Sequence, residues 1–106
     1  MRRDLLVSVC RTCGHTVFPP RLLCPACGGA SWRREPAGPG TVEEVTTIRR
    51  AVGAGGDVSV PLASVRLDAG PVVVAGLDAE ARPGDRVELL VSDGAPIAYL
   101  HDDRRN

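Results

Sequence analysis

Lysine is absent from the 106 residues: all 13 basic side chains are arginines, and 13 acidic ones bring the net charge to zero. A chain that grips nucleic acid by its phosphates normally gathers a basic excess on one face, so this balance argues against nucleic acid as a partner. Arginine to the exclusion of lysine reads instead as the codon bias of a GC-rich genome. Aromatic residues are scarce too, with one Phe, one Trp and one Tyr. That is too few for the stacking platform that single-stranded nucleic acid needs. No apolar run approaches the roughly 20 residues of a membrane-crossing helix. The apolar part of the start, Met1 to Cys10, is too short for a signal peptide. The expectations are a cytoplasmic location and no membrane partner. Neither an internal repeat nor a low-complexity segment is visible.

What the chain does contain is four cysteines, all in one stretch. Cys10-Arg-Thr-Cys13-Gly-His is followed by Thr-Val-Phe-Pro-Pro-Arg-Leu-Leu and then Cys24-Pro-Ala-Cys27-Gly-Gly. Two Cys-x-x-Cys pairs flanking a hairpin-length segment form the pattern of a zinc ribbon. Two residues between cysteines let one tight knuckle present both sulfurs to one metal. Gly14 and Gly28 tolerate the left-handed turn that aims backbone N–H groups at those sulfurs. Four thiolates complete a tetrahedron and leave no position for water or substrate, so the site reads as one structural Zn2+ held by Cys10, Cys13, Cys24 and Cys27. Two disulfides would suit a secreted chain. A redox Cys-x-x-Cys would sit in a strand–helix–strand unit that neither pair has. His15, just past the first knuckle, reads as a solvated residue.

A ribbon of about 35 residues buries little core and depends on its metal. The remaining 70 or so residues suffice for one small all-β core, and 43% hydrophobic content suits a globular chain. Leu5, Val7 and Val9 suit a strand leading into the ribbon, with Arg2 and Arg3 as a solvated end. Phe18 is expected to pack under the ribbon, and Trp32 at the junction behind it. Residues 35–40, with two prolines and two glycines, read as a linker between a ribbon over 1–36 and a second domain over 37–106.

That second domain reads as five strands, at 41–50, 58–68, 72–77, 85–92 and 96–101. A Gly-rich loop follows the first, and a helical turn over Asp78–Arg82 precedes Pro83-Gly84. The apolar phase slips near Ala63, which suggests a bulge or a bend of the kind small barrels use to close. The 72–77 strand is apolar on both faces and reads as central, and Gly76 as a close backbone approach. Asp68-Ala-Gly-Pro71 and Asp93-Gly94 read as hairpin turns. The charged tail, Asp102 to Asn106, is expected to fray. The fold class is all-β: an N-terminal rubredoxin-like zinc ribbon followed by a five-stranded OB-fold barrel, with an open five-stranded antiparallel sheet as the alternative.

Cys-Arg-x-Cys-Gly-His, Phe-Pro-Pro-Arg, Leu-Cys-Pro-x-Cys-Gly and the following Trp resemble one known ribbon. It belongs to the zinc-ribbon plus OB-fold proteins associated with acyl-CoA enzymes, long filed as a domain of unknown function. Gly-Pro-Gly-Thr-Val, the Val-Pro-Leu-Ala-Ser-Val-Arg-Leu-Asp-Ala-Gly-Pro hairpin and Arg-Pro-Gly-Asp-Arg-Val-Glu are similar to that family's barrel. The resemblance implies a non-catalytic accessory subunit. Such a subunit would dock on a thiolase-like or other acyl-CoA-processing enzyme of thiolase, aldolase or acyltransferase type, and help bind or channel the CoA thioester. It carries the four ribbon cysteines over as Cys10, Cys13, Cys24 and Cys27, and Arg21 fills the Phe-Pro-Pro-Arg position. Because the guanidinium fork suits phosphate, Arg21, Arg49 and Arg50 are the candidate CoA contacts. The competing reading is a single-stranded nucleic-acid module, since ribbons and OB-folds both serve that role. No catalytic residue is expected: the thiols are committed to metal, and no nucleophile–base pairing includes His15 or His101.

Overall fold

The computed structural model describes residues 2–51 and 53–100. His101 and the tail lie outside the described residues, so the expectations placed on them go no further. The strands, in chain order, are β1 (Arg2–Asp4), β2 (Leu6–Cys10), β3 (Thr16–Val17), β4 (Trp32–Pro36), β5 (Pro39–Ala51), β6 (Asp57–Leu67), β7 (Val72–Leu77), β8 (Arg86–Ser92) and β9 (Ala95–Leu100).

Two sheets result. The ribbon sheet has the order β3–β2–β4, all antiparallel. In the second, β5, β6, β7, β9 and β8 follow one another, and β8 pairs again with β5. The ring is therefore closed, and the open-sheet alternative falls. Closure needs one parallel pairing, β7 with β9 at Gly76↔Ile97 and Leu77↔Ala98. β1 adds to the outside of β8, opposite Leu90 to Ser92, as a sixth strand. The barrel sheet thus includes residues ahead of the ribbon, where the sequence suggested only a solvated end.

Closing a small barrel requires a sharp bend, and two local features supply it. Glu43 is an extra residue in β5, since Val42 pairs with Val65 and Glu44 with Ser64. The bulge suggested by the phase slip near Ala63 thus lies on the partner strand. β6 itself alternates without a break, while its apolar residues change face at Leu62/Ala63. Gly40 is where β5 is squeezed between β6 and β8: a Cβ there would lie 2.7 Å from Val65 Cγ1 and 2.8 Å from the Arg66 carbonyl oxygen. Gly76 is a second close approach, 3.1 Å from Ile97 Cδ1 by the same construction.

The core is one cluster of small apolar side chains, including Val42, Ala63, Val65, Leu67, Val73, Ala75, Val87, Leu89 and Ala98. Leu5, between β1 and β2, and Val7 on β2 belong to the same cluster, and Phe18 packs against it. Phe18 therefore joins ribbon to barrel. Trp32, expected at that junction, is instead turned across the ribbon, where its indole N–H donates to the Leu22 carbonyl at 3.4 Å. The 35–40 linker is shorter than its prolines suggested. Pro36 ends β4 and Pro39 begins β5, the strand ends where a missing N–H does least harm. Ala37, between them, is buried and donates its N–H to the Leu5 carbonyl at 2.7 Å.

Two further expectations change. The helical turn over 78–82 is absent, and the segment is irregular. Pro83 disfavours helical backbone at the residue before it, and five residues give no room to recover. A capping bond replaces the helix, with the Arg82 N–H donating to Asp85 Oδ2 at 2.9 Å. A 3-10 turn occurs at Gly53–Gly55, inside the Gly-rich loop. β7 is interior to the sheet yet covered on one face only: Val73 and Ala75 are buried, while Val72 and Val74 face outward, the latter 61% exposed. The hairpin turns stand as read. Asp93 (φ 53°) and Gly94 (φ 82°) join β8 to β9 in the left-handed conformation that suits a two-residue hairpin.

Candidate metal centre

Each knuckle is built the same way. Gly14 N–H donates to the Cys10 carbonyl at 2.9 Å, and Gly28 N–H to the Cys24 carbonyl at 2.8 Å. Cys10 N–H reaches the His15 carbonyl at 2.9 Å, and Cys24 N–H the Gly29 carbonyl at 2.7 Å. Gly14 and Gly28 have φ of 83° and 81°, the left-handed turn their position suggested. His15 serves through its carbonyl, while its side chain stays exposed.

The turns converge four sulfurs. Cys10 Sγ lies 3.6 Å from Cys27 Sγ, and Cys13 Sγ 3.7 Å from Cys24 Sγ. All four lie within 4.8 Å of one another. A tetrahedron with Zn–S bonds of about 2.3 Å has edges of about 3.8 Å, so the cluster has the size of a tetrathiolate site. The donor set fits one structural Zn2+, which would supply a cross-link between the two knuckles. Backbone donors surround the sulfurs: Ala26 N–H points to Cys24 Sγ and Gly29 N–H to Cys27 Sγ, each at 3.4 Å. Gly29 went unremarked in the sequence. A Cβ there would lie 3.3 Å from Thr12 Oγ1, 3.4 Å from Cys27 Sγ and 3.6 Å from Cys10 Sγ, so the second glycine of Cys-Gly-Gly sits directly against the sulfur cluster.

The thiols are electrostatically unequal when taken by themselves. At Cys10 the Cys13 N–H leads in lowering the thiol to about 6, with the Thr12 N–H and neighbouring thiols adding to it. At Cys27 the Gly29 N–H pulls the other way but is outweighed: hydrogen bonds to the Cys10 and Cys13 thiols, with burial, push it up to about 12. Cys13 is also raised, since burial and the Cys24 and Cys10 thiols outweigh the His15 N–H. Protons left on such a cluster are displaced when a divalent metal binds.

The candidate arginines do not converge. Arg21 lines a cleft of about 440 Å³ between the ribbon (His15 to Phe18) and the β6–β7 turn (Ala69 to Val72). Arg49 lies on β5 opposite Ser59, 77% exposed, with its guanidinium 3.6 Å from Asp57. Arg50 follows it, opposite Val58. From Ser59 to Ala69 the chain advances ten residues, about 30 Å of extended strand. No helix among the described residues is long and apolar enough to cross a membrane.

Two family models match consecutive parts of the chain. Residues 1–33 match the rubredoxin-like zinc ribbon domain of ChsH2, and residues 33–92 its C-terminal OB-fold domain. Among solved structures, one titled Ltp2-ChsH2(DUF35) aldolase superposes with a TM-score of 0.75 at 23% identity, covering 92% of this chain and 84% of that one. A DUF35-family protein of unknown function from Sulfolobus solfataricus gives 0.62 at 15% identity, covering 92% and 76%. At these identities the two structures speak to the fold. No curated protein matches the sequence.

Proposed function

We propose, because this chain belongs to the ChsH2 family of proteins with a rubredoxin-like zinc ribbon and a C-terminal OB-fold, that it is a non-catalytic accessory subunit. Its partner is an enzyme that processes acyl-CoA, of aldolase, thiolase or acyltransferase type. The carrying observation is the pair of family matches, which run consecutively over residues 1–92. The structure titled Ltp2-ChsH2(DUF35) aldolase supplies the enzyme class to test first. Cys10, Cys13, Cys24 and Cys27 are the zinc ligands. A closed tetrathiolate centre leaves the metal without an open position, so its contribution is to hold the ribbon in shape.

The subunit helps bind the CoA thioester. Arg21, on the wall of the ribbon–barrel cleft, is the first contact for a CoA phosphate, where a guanidinium fork gains most from bidentate geometry. Arg49 and Arg50, on the far part of β5, do not converge with Arg21 and are an alternative contact rather than a second one on the same ligand. The test is co-expression with candidate aldolases and thiolases encoded in the same genome. The expected result is a complex that survives gel filtration, turnover that needs both chains, and a KM for the CoA substrate that rises in Arg21→Ala with kcat little changed. Retention on single-stranded DNA at physiological salt, with no acyl-CoA enzyme bound, would instead support the nucleic-acid reading.

A further inference from the structure

β5 and β6 are far longer than the barrel needs. β8 pairs with β5 only from Pro39 to Thr41, and β7 with β6 only from Leu62 to Arg66. Beyond those points the two strands continue as a two-stranded arm, ending in the Gly53–Gly55 turn. Its outward face carries Ile48, Val58, Val60 and Leu62, the first two 44% and 43% exposed. A lone ribbon of this kind leaves a row of unpaired backbone donors and acceptors along each edge, a template for another strand.

The two edges differ. Pro61 has no N–H, which blunts the β6 edge. The β5 edge has neither proline nor any described strand beside it after Thr41, and Val42 closes against the Gly84–Asp85 backbone. The usable edge therefore runs from Glu44 to Ala51. Its charges are sorted by sign: Glu43 and Glu44 at the base, Arg49 and Arg50 at the far end, with Val45-Thr46-Thr47-Ile48 between. Such a sequence is complementary to itself when antiparallel.

We propose that the β5 edge of the arm pairs with the same edge of a second copy of this chain, about a two-fold axis at Thr47. A two-fold perpendicular to the sheet keeps equivalent faces together, so residues facing each other must sit an even number of places apart. Centring on Thr47 meets that condition. Glu44 then stands opposite Arg50 of the second copy, Thr46 opposite Ile48, and Val45 opposite Arg49. Each copy contributes the same contacts twice. Glu44 is exposed and has no ion pair among the described residues. The second copy's Gly-rich turn falls beside the base of the arm, where a cleft of about 530 Å³ opens between Glu43, Val45, Ala63, Val74 and Pro83.

The test is sedimentation of the zinc-loaded full chain and of two charge reversals, Glu44→Arg and Arg50→Glu. The wild type should sediment as a dimer in the micromolar range. Each reversal faces like charges twice and should weaken the dimer at least about tenfold. Mixing the two variants in equal amounts should restore it, because both facing pairs of the mixed dimer then join opposite charges. Circular dichroism and zinc content should be unchanged. A wild type monomeric into the millimolar range, reversals that dimerise as well as the wild type, or a mixture that stays monomeric would each overturn the proposal. The enzyme-partner test reads co-elution and turnover, so either reading can fail while the other stands.

Discussion

The ribbon and the barrel reach a fixed shape by opposite means. The ribbon leaves Leu22 and Leu23 in solvent between its knuckles, the former 86% accessible. It fixes its turns with short backbone hydrogen bonds around four sulfurs. Among the described residues the barrel has no comparable cross-link, and it depends on a continuous cluster of Val, Ala and Leu. Metal sites tolerate a small core because one metal does the work of many contacts. Barrels tolerate few charged or aromatic interior residues because five strands enclose little space. The two meet at Leu5, Val7 and Phe18, which pack into or against the barrel's cluster from the ribbon side.

Removing the metal should separate the two regions most sharply. Structural zinc contributes apparent binding free energies of about 10–16 kcal/mol in ribbon-sized peptides. Chelation, or Cys24→Ser, should therefore erase amide protection in residues 10–34 while β5 to β9 keep theirs, as read by hydrogen exchange. Loss of protection in both at once would show that the shared core leaves them one cooperative unit.

The reverse experiment is Leu67→Ala, a truncation at a side chain only 1% exposed. It should lower unfolding stability by about 2–5 kcal/mol in urea titrations and leave zinc stoichiometry unchanged. Metal loss in this variant would mean that the barrel also holds the ribbon closed.

The smallest effect belongs to the barrel's surface clamp. Arg86 binds Asp68 with two bonds, of 2.9 and 2.8 Å, and donates to Thr41 Oγ1 at 2.8 Å. The hydrogen bonds from Arg86 hold the Asp68 carboxyl below its usual value. A lowered folded value contributes stability above the ordinary Asp range, lost as pH falls through the folded value. The difference in melting temperature between wild type and Asp68→Asn should thus be small at neutral pH and vanish in strong acid. A difference that persists there would assign the effect to packing.

The metal centre was legible because its information is local. Two residues between cysteines and a glycine after each pair describe one turn of backbone, and neighbours in sequence suffice to build it. The strands were also legible, to within a few residues, from their β-branched content and their turn residues. Less legible were the features set by pairing with distant chain. The bulge fell on β5 because only the register against β6 decides which strand takes the extra residue. Phe18 packs against the shared cluster and Trp32 bonds across the ribbon to Leu22, contacts that depend on how the ribbon leans on the barrel.

Cysteine spacing, turn glycines and the run of apolar strands were enough, in the order of the residues alone, to set the ribbon, its metal and an all-β second half. Only the folded chain decided that the ring closes through a parallel pair, that the first residues join the barrel, and that β5 runs on past its neighbours with an edge left open. Knuckle geometry depends on four or five consecutive residues, whereas closure and open edges depend on which strands lie side by side, a property no single stretch carries.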